Sequence, residues 1–208
     1  MKTSTVALIA LLGWTTVCCA AERDDVQAAF DGYKSAILSQ DGARAAELVS
    51  ERTLAEYQRY VDWARDADRE TLQSLSLINR FQVIILRHRI PPEELRKLEG
   101  RTAFIYAVDH DWIGKNAVIR TSLGEIDASE GRATATVLIG GRKAPNRFQF
   151  IREKQQWRFD LLPLMQDSSV AFQALAKQRG IAEDELIFNL VETVSGKKVP
   201  EGIWNPAK

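Results

Sequence analysis

The chain has 208 residues, of which 45% are hydrophobic and 27% are charged. This composition is typical of a globular protein and argues against wholesale disorder. Acidic and basic residues balance at 28 each, and the basic ones are scattered along the chain. Because no basic field exists to attract phosphates, we expect no nucleic-acid partner.

The first residues have the pattern of a secretory signal. Lys2 supplies a positive charge, the apolar run 6–14 has the length of a signal-peptide core, and small residues lead to Ala21 before a charged segment. The run is too short for an ordinary membrane-spanning helix, so no transmembrane span is expected. The pattern predicts that residues 1–21 are a signal peptide cleaved near Ala21, and that residues 22–208 form one periplasmic or secreted α+β domain.

Both cysteines, Cys18 and Cys19, lie inside the predicted signal. The mature protein would therefore have no disulfide, no thiol nucleophile and no thiolate metal site. A lipid anchor on Cys18 or Cys19 is the alternative. It is disfavoured because Thr15 and Thr16, three residues before the two cysteines, stand where a lipoprotein signal usually has Leu. The residue immediately before each cysteine is Val17 or Cys18, where Gly or Ala would be usual.

Apolar residues recur at helical spacing through the first half of the mature chain. The predicted buried faces comprise Val26, Phe30, Tyr33 and Ile37 in a first helix, Leu54, Tyr57, Val61 and Ala64 in a later helix, and Leu72, Leu75, Ile78, Phe81 and Ile85 in a third.

Local signals predict where these helices begin and end. The segment 40–42 ends the first helix, and a short Ala-rich helix follows it. Thr53 and Glu56 have the spacing of a capping box at the start of the next. The third helix is expected from Asp68 to about Arg89, where two prolines stop it, and a short helix is expected to end at Gly100.

The pattern changes to strands after residue 114. A first strand is predicted within 117–126, which is rich in β-branched residues, and Arg132–Ile139 alternates clearly. Two further strands are predicted at 147–152 and 157–161. Because the connections are short, including the Gly140-Gly141 turn, the four strands should form an antiparallel meander.

Helices return at the C-terminus. Gly180 and Gly196 are expected to terminate two of them, and Trp204 is expected to dock on the core. The second of these helices should begin at Asp184, with an apolar face made of Leu186, Ile187, Leu190, Val191 and Val194. Helices, consecutive strands and helices again predict an α+β layer fold, with 165–208 as a C-terminal helical extension.

The segments 45–64, 133–139, 148–153 and 156–161 resemble the nuclear transport factor two-like superfamily, also called cystatin-like or ketosteroid-isomerase-like. The resemblance is topological and covers residues 26–164. It implies helices packed on a curved antiparallel four-stranded sheet, which wraps a long helix into a cone with a pocket. The helical segment 68–100 and the C-terminal helices depart from the compact family pattern.

The two histidines are weak candidates for chemistry. His110 lies in the polar run 109–111, which suggests a metal or acid–base site. However, neighbouring side chains diverge in a strand and no second histidine is near in sequence, so a polar loop anchored by Trp112 is the preferred interpretation. His88 lies between two arginines at a helix end, where a surface charge suits the helix dipole.

The sequence has no nucleophile elbow, phosphate-binding loop or dinucleotide fingerprint. In the isomerase branch of the resembled superfamily, buried Asp and Tyr side chains transfer protons. Asp160, Tyr33, Tyr57 and Tyr106 are the residue types available, but none matches a catalytic position. Tyr33 and Tyr57 lie on apolar helix faces, so we expect both in the core.

These observations predict an exported, non-enzymatic domain that binds a small ligand or a partner protein. No catalytic residue, metal ligand or cofactor is predicted, and the ligand-binding residues stay unknown at this level. The alternative is an isomerase- or hydrolase-type enzyme that uses Asp and Tyr groups in the cone pocket.

Overall fold

The computed structural model describes residues 14–113 and 115–206. The predicted α+β class is confirmed: along the chain, helices precede and follow one four-stranded sheet. The helices that precede the sheet are α1 (Trp14–Ser39), α2 (Gly42–Leu48), α3 (Glu51–Asp66), α4 (Arg69–Ser74), α5 (Leu77–Arg89), α6 (Pro92–Leu95), α7 (Gly100–Asp109) and α8 (Lys115–Ile119).

The sheet is a meander in which each strand pairs antiparallel with the next, as predicted. It is curved and does not close on itself. Its strands are β1 (Thr121–Ser129), β2 (Arg132–Ile139), β3 (Arg142–Glu153) and β4 (Gln156–Asp160). The helices α9 (Leu162–Arg179) and α10 (Glu183–Ser195) and a 3₁₀ turn (Glu201–Trp204) follow.

Helix α1 packs on the sheet through the predicted apolar face, and Val26, Phe30, Tyr33 and Ile37 are all buried. The Phe159 ring of β4 lies 5.0 Å from that of Tyr33 and 6.0 Å from that of Phe30, measured between centroids. Aromatic rings therefore occupy the space between α1 and the sheet.

Helix α3 is capped by Ser50 and not by Thr53, so the predicted capping box is wrong. The Ser50 hydroxyl accepts a hydrogen bond from the Thr53 backbone N–H at 3.2 Å. Thr53 instead uses its own side chain to accept from the backbone N–H of Leu161 at 3.1 Å. The helix begins earlier because Val49 pairs with Phe159, which holds the preceding backbone extended.

The helix predicted from Asp68 to Arg89 is two helices, α4 and α5. Leu75 is extended, and Ser76 caps α5 by accepting from the backbone N–H of Asn79 at 3.4 Å. A serine cap thus interrupts an apolar repeat that continues on both sides of it.

Gly100 begins helix α7, whereas the sequence predicted a helix end there. A Cβ at this position would lie 2.5 Å from the Gln58 backbone nitrogen and 2.6 Å from the Leu54 carbonyl oxygen. The glycine therefore permits the backbones of α7 and α3 to approach closely.

The first strand begins at Thr121, and the earlier part of the segment 117–126 lies in or beside helix α8. The Asp111 carboxylate accepts a hydrogen bond from the backbone N–H of Lys115, the first residue of that helix, at 3.3 Å. Ile139, the last residue of β2, is 51% exposed, and the β2–β3 register shifts between Thr136 and Leu138.

The C-terminal helices pack on α5. Arg80 of α5 is 8% exposed and forms ion pairs with Glu183 and Asp184 at the start of α10. Trp204 is buried, as predicted, within a 3₁₀ turn. Val194, in the last turn of α10, is 50% exposed.

Gly180 and Gly196 terminate α9 and α10 in the left-handed conformation, as predicted. In the described part of the chain, no helix combines the length and the apolar character needed to cross a bilayer.

Candidate functional site

A cleft of about 350 Å³ opens between α3, α5 and α9. We call it the α3–α9 cleft. Apolar side chains and polar side chains of both charge signs line it: Glu56, Arg59, Tyr60, Ser76, Ile78, Asn79, Leu162, Met165, Gln166 and Ser169. Such a mixture suits a ligand with an apolar body and a few polar groups.

Glu56 and Tyr60 provide the polar chemistry of this cleft. Glu56 is 9% exposed, and its Oε2 accepts from Arg59 Nη1 at 2.8 Å. The Arg59 guanidinium also lies 4.7 Å from the centroid of the Trp63 ring. The Tyr60 hydroxyl lies 3.6 Å from Met165 Sδ. Burial first, and then the nearby Glu56 carboxylate, raise the Tyr60 pKa.

A smaller aromatic cavity of about 110 Å³ also borders Tyr60. Its lining is dominated by rings and aliphatic side chains: Tyr57, Tyr60, Phe81, Gln82, Ile85, Leu86, Ala107, Trp112, Ile113 and Val194. Tyr60 therefore lines both the polar cleft and the aromatic cavity.

Tyr57 supplies a hydroxyl to the aromatic cavity. Its ring is 5.1 Å from that of Phe104 and 5.7 Å from that of Tyr60, and the residue is 6% exposed. Its hydroxyl has no hydrogen-bond partner among the described residues. Burial raises the Tyr57 pKa, so at neutral pH the hydroxyl is a proton-bearing donor and not a base.

The residue types considered for proton transfer do not meet in one place. Tyr33 lies under the sheet, where burial raises its pKa, and Tyr57 lies in the aromatic cavity. Both are buried, as predicted. Asp160 alternates with Phe159 on β4, so its side chain leaves the opposite face of the sheet from the Tyr33–Phe159 contact.

Asp160 is 1% exposed and lies in a polar network. Its Oδ1 accepts from Arg52 Nε at 2.9 Å, from the Ser50 hydroxyl at 3.2 Å and from the Leu162 backbone N–H at 3.3 Å. Its Oδ2 forms an ion pair with the Arg52 guanidinium. This network joins the start of α3 to the β4–α9 junction.

The side chains of residues 109–111 contact three different parts of the chain. Asp109 Oδ1 accepts from the Gly42 backbone N–H at 2.7 Å, while Asp111 Oδ1 accepts from the Lys115 backbone N–H. The His110 ring stacks on Tyr106 with centroids 3.8 Å apart, and its Nδ1 lies 2.9 Å from the Tyr106 carbonyl oxygen. Within residues 14–113 and 115–206, no three His, Cys, Asp or Glu side chains are arranged to hold a metal ion.

His88 is half-buried, and its Nε2 lies 3.1 Å from the Lys198 carbonyl oxygen. The side chain thus joins the end of α5 to the C-terminal segment, which the interpretation as a free surface charge did not foresee.

The sequence interpretation missed Glu56 and Tyr60. Glu56 had been assigned to the capping box, and Tyr60 lies beside the predicted apolar face of α3. The signal that was available is the spacing of Tyr57 and Tyr60, which places two phenols on adjacent parts of one helix face.

No protein-family model, curated protein or solved structure matches this chain.

Proposed function

We propose that the chain is an exported, non-enzymatic domain of the nuclear transport factor two-like superfamily that binds a small ligand. The ligand would occupy the aromatic cavity and extend past Tyr60 into the α3–α9 cleft. The observation that carries this proposal is the juxtaposition of an aromatic space with an unpartnered Tyr57 hydroxyl and a polar cleft lined by Glu56.

The superfamily assignment is supported by four consecutive antiparallel strands that form a curved, unclosed sheet with α1 packed on it. Export is supported by the sequence pattern of residues 1–21. Once exported, the protein would bind its ligand in the periplasm or outside the cell.

Binding is favoured over catalysis because the buried acidic groups are already paired with other side chains. Asp160 is held by Arg52 and Ser50 at the α3–β4 junction, and Glu56 is paired with Arg59. Tyr33, Tyr57 and Tyr60 have raised pKa values and stay protonated at neutral pH. The enzyme alternative would have to use Glu56 with Tyr60, so a Glu56→Gln variant that keeps ligand affinity but loses turnover would favour that alternative.

The test is native mass spectrometry of the exported protein, followed by NMR titration of the purified protein with phenol as the probe. We expect a retained small molecule, and we expect phenol to shift the resonances of Tyr57 and Trp112. Gln82→Trp should fill the rim of the cavity and abolish both signals, whereas Gln173→Trp, on an exposed part of α9, should change neither. An empty protein that also fails to bind phenol would contradict the proposal.

A further inference from the structure

Strand β4 is the last strand of the sheet, and one of its two edges is largely free. β3 pairs with it on one side. On the other side, the described contact is a single parallel bridge between Val49 and Phe159, where the Ser50 backbone N–H donates to the Phe159 carbonyl at 2.9 Å.

That bridge reveals the direction of the neighbouring backbone groups. Since the Phe159 carbonyl points away from β3, the backbone groups of Trp157, two residues earlier, point the same way. Glu153 and Gln156 form the closing pair of the β3–β4 hairpin. The backbone groups of Gln156 therefore point towards β3, and those of Trp157, the next residue, point away from it. Outside the β3–β4 ladder, no hydrogen bond of the described residues uses the backbone N–H or the C=O of Trp157.

The indole of Trp157 adds a second unpartnered donor. The residue is 5% exposed, and its Nε1 is buried with no hydrogen-bond acceptor in the described structure. Buried N–H groups are rarely left without a partner in folded proteins. Besides the two backbone groups at the strand edge, Trp157 thus has a buried indole N–H without a partner among the described residues.

A cleft of about 530 Å³ lies beside this edge. We call it the edge cleft. Helix α1, helix α2 and the end of the β3–β4 hairpin form its walls, with the residues Asp25, Ala28, Ala29, Arg44, Glu47, Leu48, Gln155, Gln156, Trp157 and Arg158.

We propose that the edge cleft binds an extended peptide segment of a partner protein, which adds to the sheet as a strand beside β4. Backbone hydrogen bonds to Trp157 would supply the recognition, as in other cases of strand addition. The chain already uses this edge in that way at Val49. The three residues Gln156–Arg158 give about 10 Å of free edge, enough for about three or four extended peptide residues.

The walls restrict the side chains of such a peptide. Ala28, Ala29 and Leu48 form a small apolar patch that suits one aliphatic side chain. The charged groups at the rim are of both signs, and Arg44 is paired with Glu47 at 3.2 Å. The occupant is therefore an extended segment that alternates aliphatic with uncharged polar residues.

Fluorescence anisotropy with a fluorescein-labelled Gln-Val-Gln-Val-Gln amide tests this proposal. Two isomers of the probe each carry two backbone N-methyl groups, one isomer on the two Val amides and the other on the amides of the second and third Gln residues. Strand addition uses the amides of one peptide edge, so one isomer should lose at least about tenfold in affinity and the other should bind like the parent. Equal binding by both isomers, or no binding by the parent peptide, would overturn the proposal.

Protein variants locate the site. Ala28→Arg, at an exposed position of the cleft wall, should abolish peptide binding, while Ala174→Arg on the exposed surface of α9 should leave it unchanged. Matching melting temperatures would show that both variants fold. If Ala28→Arg does not fold, slower exchange of the Trp157 amide hydrogen in wild type with peptide supports the proposal, and unchanged exchange contradicts it.

Discussion

At the residue scale, the buried carboxylate of Asp160 shows how one side chain holds two distant parts of the chain together. Arg52 and Ser50 reach it from the start of α3, and Leu162 donates to it from the start of α9. The Arg52 side chain is 42% exposed, whereas that of Asp160 has no exposed surface. The network therefore places a charged pair at the boundary between core and solvent.

Replacing this carboxylate should be costly. Asp160→Ala would leave the Ser50 hydroxyl and the Leu162 N–H without their acceptor, and we expect a loss of about 2–4 kcal/mol in the free energy of unfolding. The expected loss of stability is smaller than for a fully buried ion pair, because the exposed Arg52 guanidinium can be hydrated once Asp160 is removed. Urea titration measures the loss. Asp127→Asn, an exposed position on the same face of the sheet, is the control and should change stability by less than about 0.5 kcal/mol.

Phe159 is the corresponding residue on the inner face of β4. It is 2% exposed, and its ring lies within 5.1 Å of Tyr33, Phe148 and Phe150. Phe159→Ala should lower the free energy of unfolding by about 3–5 kcal/mol, because it opens a cavity among packed rings. A loss under about 1 kcal/mol in reversible urea unfolding would contradict this packing, and Ile139→Ala at an exposed position is the control.

Individual residues show where prediction from sequence stops. The alternation of β4 predicted that Trp157 and Phe159 face the helices, and both are buried. The same alternation placed Asp160 on the opposite face but could not show that Arg52 covers it. That contact joins positions 108 residues apart, and no local pattern encodes it.

At the element scale, local signals were sufficient for the sheet and insufficient for the helix boundaries. The meander follows from short turns between alternating segments, and these are local. The break between α4 and α5 depends on Ser76, whose hydroxyl caps a helix in the middle of an apolar repeat. The candidate site was missed for a related reason, since its cleft is formed by α3, α5 and α9 from distant parts of the sequence.

Arg87 connects three such elements through backbone carbonyl groups. Its guanidinium donates to Trp63 and Ala64 in α3 and to Ile203 in the C-terminal 3₁₀ turn. Desolvation of this partly buried group lowers its pKa to about 10, so it still carries its charge at neutral pH. The C-terminal segment is thereby attached to the helical layer through backbone carbonyl groups.

Arg87→Met should release the C-terminal segment while preserving the aliphatic packing of the side chain. We expect faster amide hydrogen exchange in 199–206, at least about tenfold, with little change in the sheet. Arg96→Met, at an exposed position of the same charge, is the matched control. Unchanged exchange in 199–206 would show that the burial of Trp204 alone holds the segment.

At the scale of the whole molecule, buried tyrosines link stability to alkaline pH. Burial raises the pKa of Tyr33, Tyr57 and Tyr60 above the ordinary value of about 10. The folded state therefore favours the neutral phenol more than the unfolded state does. The stability that this difference contributes is fully present below pH of about 10 and is lost as pH rises beyond it.

Alkaline unfolding should therefore coincide with the ionisation of these tyrosines. We expect tyrosinate absorbance and loss of circular dichroism to follow one curve. Tyr33→Phe should move the midpoint to higher pH, because it removes an ionisable group whose hydroxyl has no hydrogen-bond partner among the described residues. Tyr106→Phe, at a half-buried position, is the comparison. Ionisation of all the tyrosines while the protein stays folded would refute this linkage.

The predicted removal of residues 1–21 also bears on the whole molecule, because helix α1 is continuous from Trp14 to Ser39. Ala21 is exposed, and the residues after it stay exposed or half-buried up to Val26, which is the first fully buried position described in α1. Cleavage near Ala21 would thus remove helix turns while sparing the contacts of Val26 and Phe30 with the core. The start of the mature helix would gain from Asp24 and Asp25, since acidic groups are favourable near a helix N-terminus.

Mass spectrometry of the exported protein should accordingly give a mature chain that begins at or near Glu22. Its urea midpoint should match that of the uncleaved chain, because the contacts of Val26 and Phe30 with the core are kept. A diacylglyceryl group on Cys18 or Cys19 would instead establish the lipid-anchored alternative. An uncleaved cytoplasmic product would contradict export, and a large loss of stability on cleavage would mean that residues before Glu22 contribute to the core.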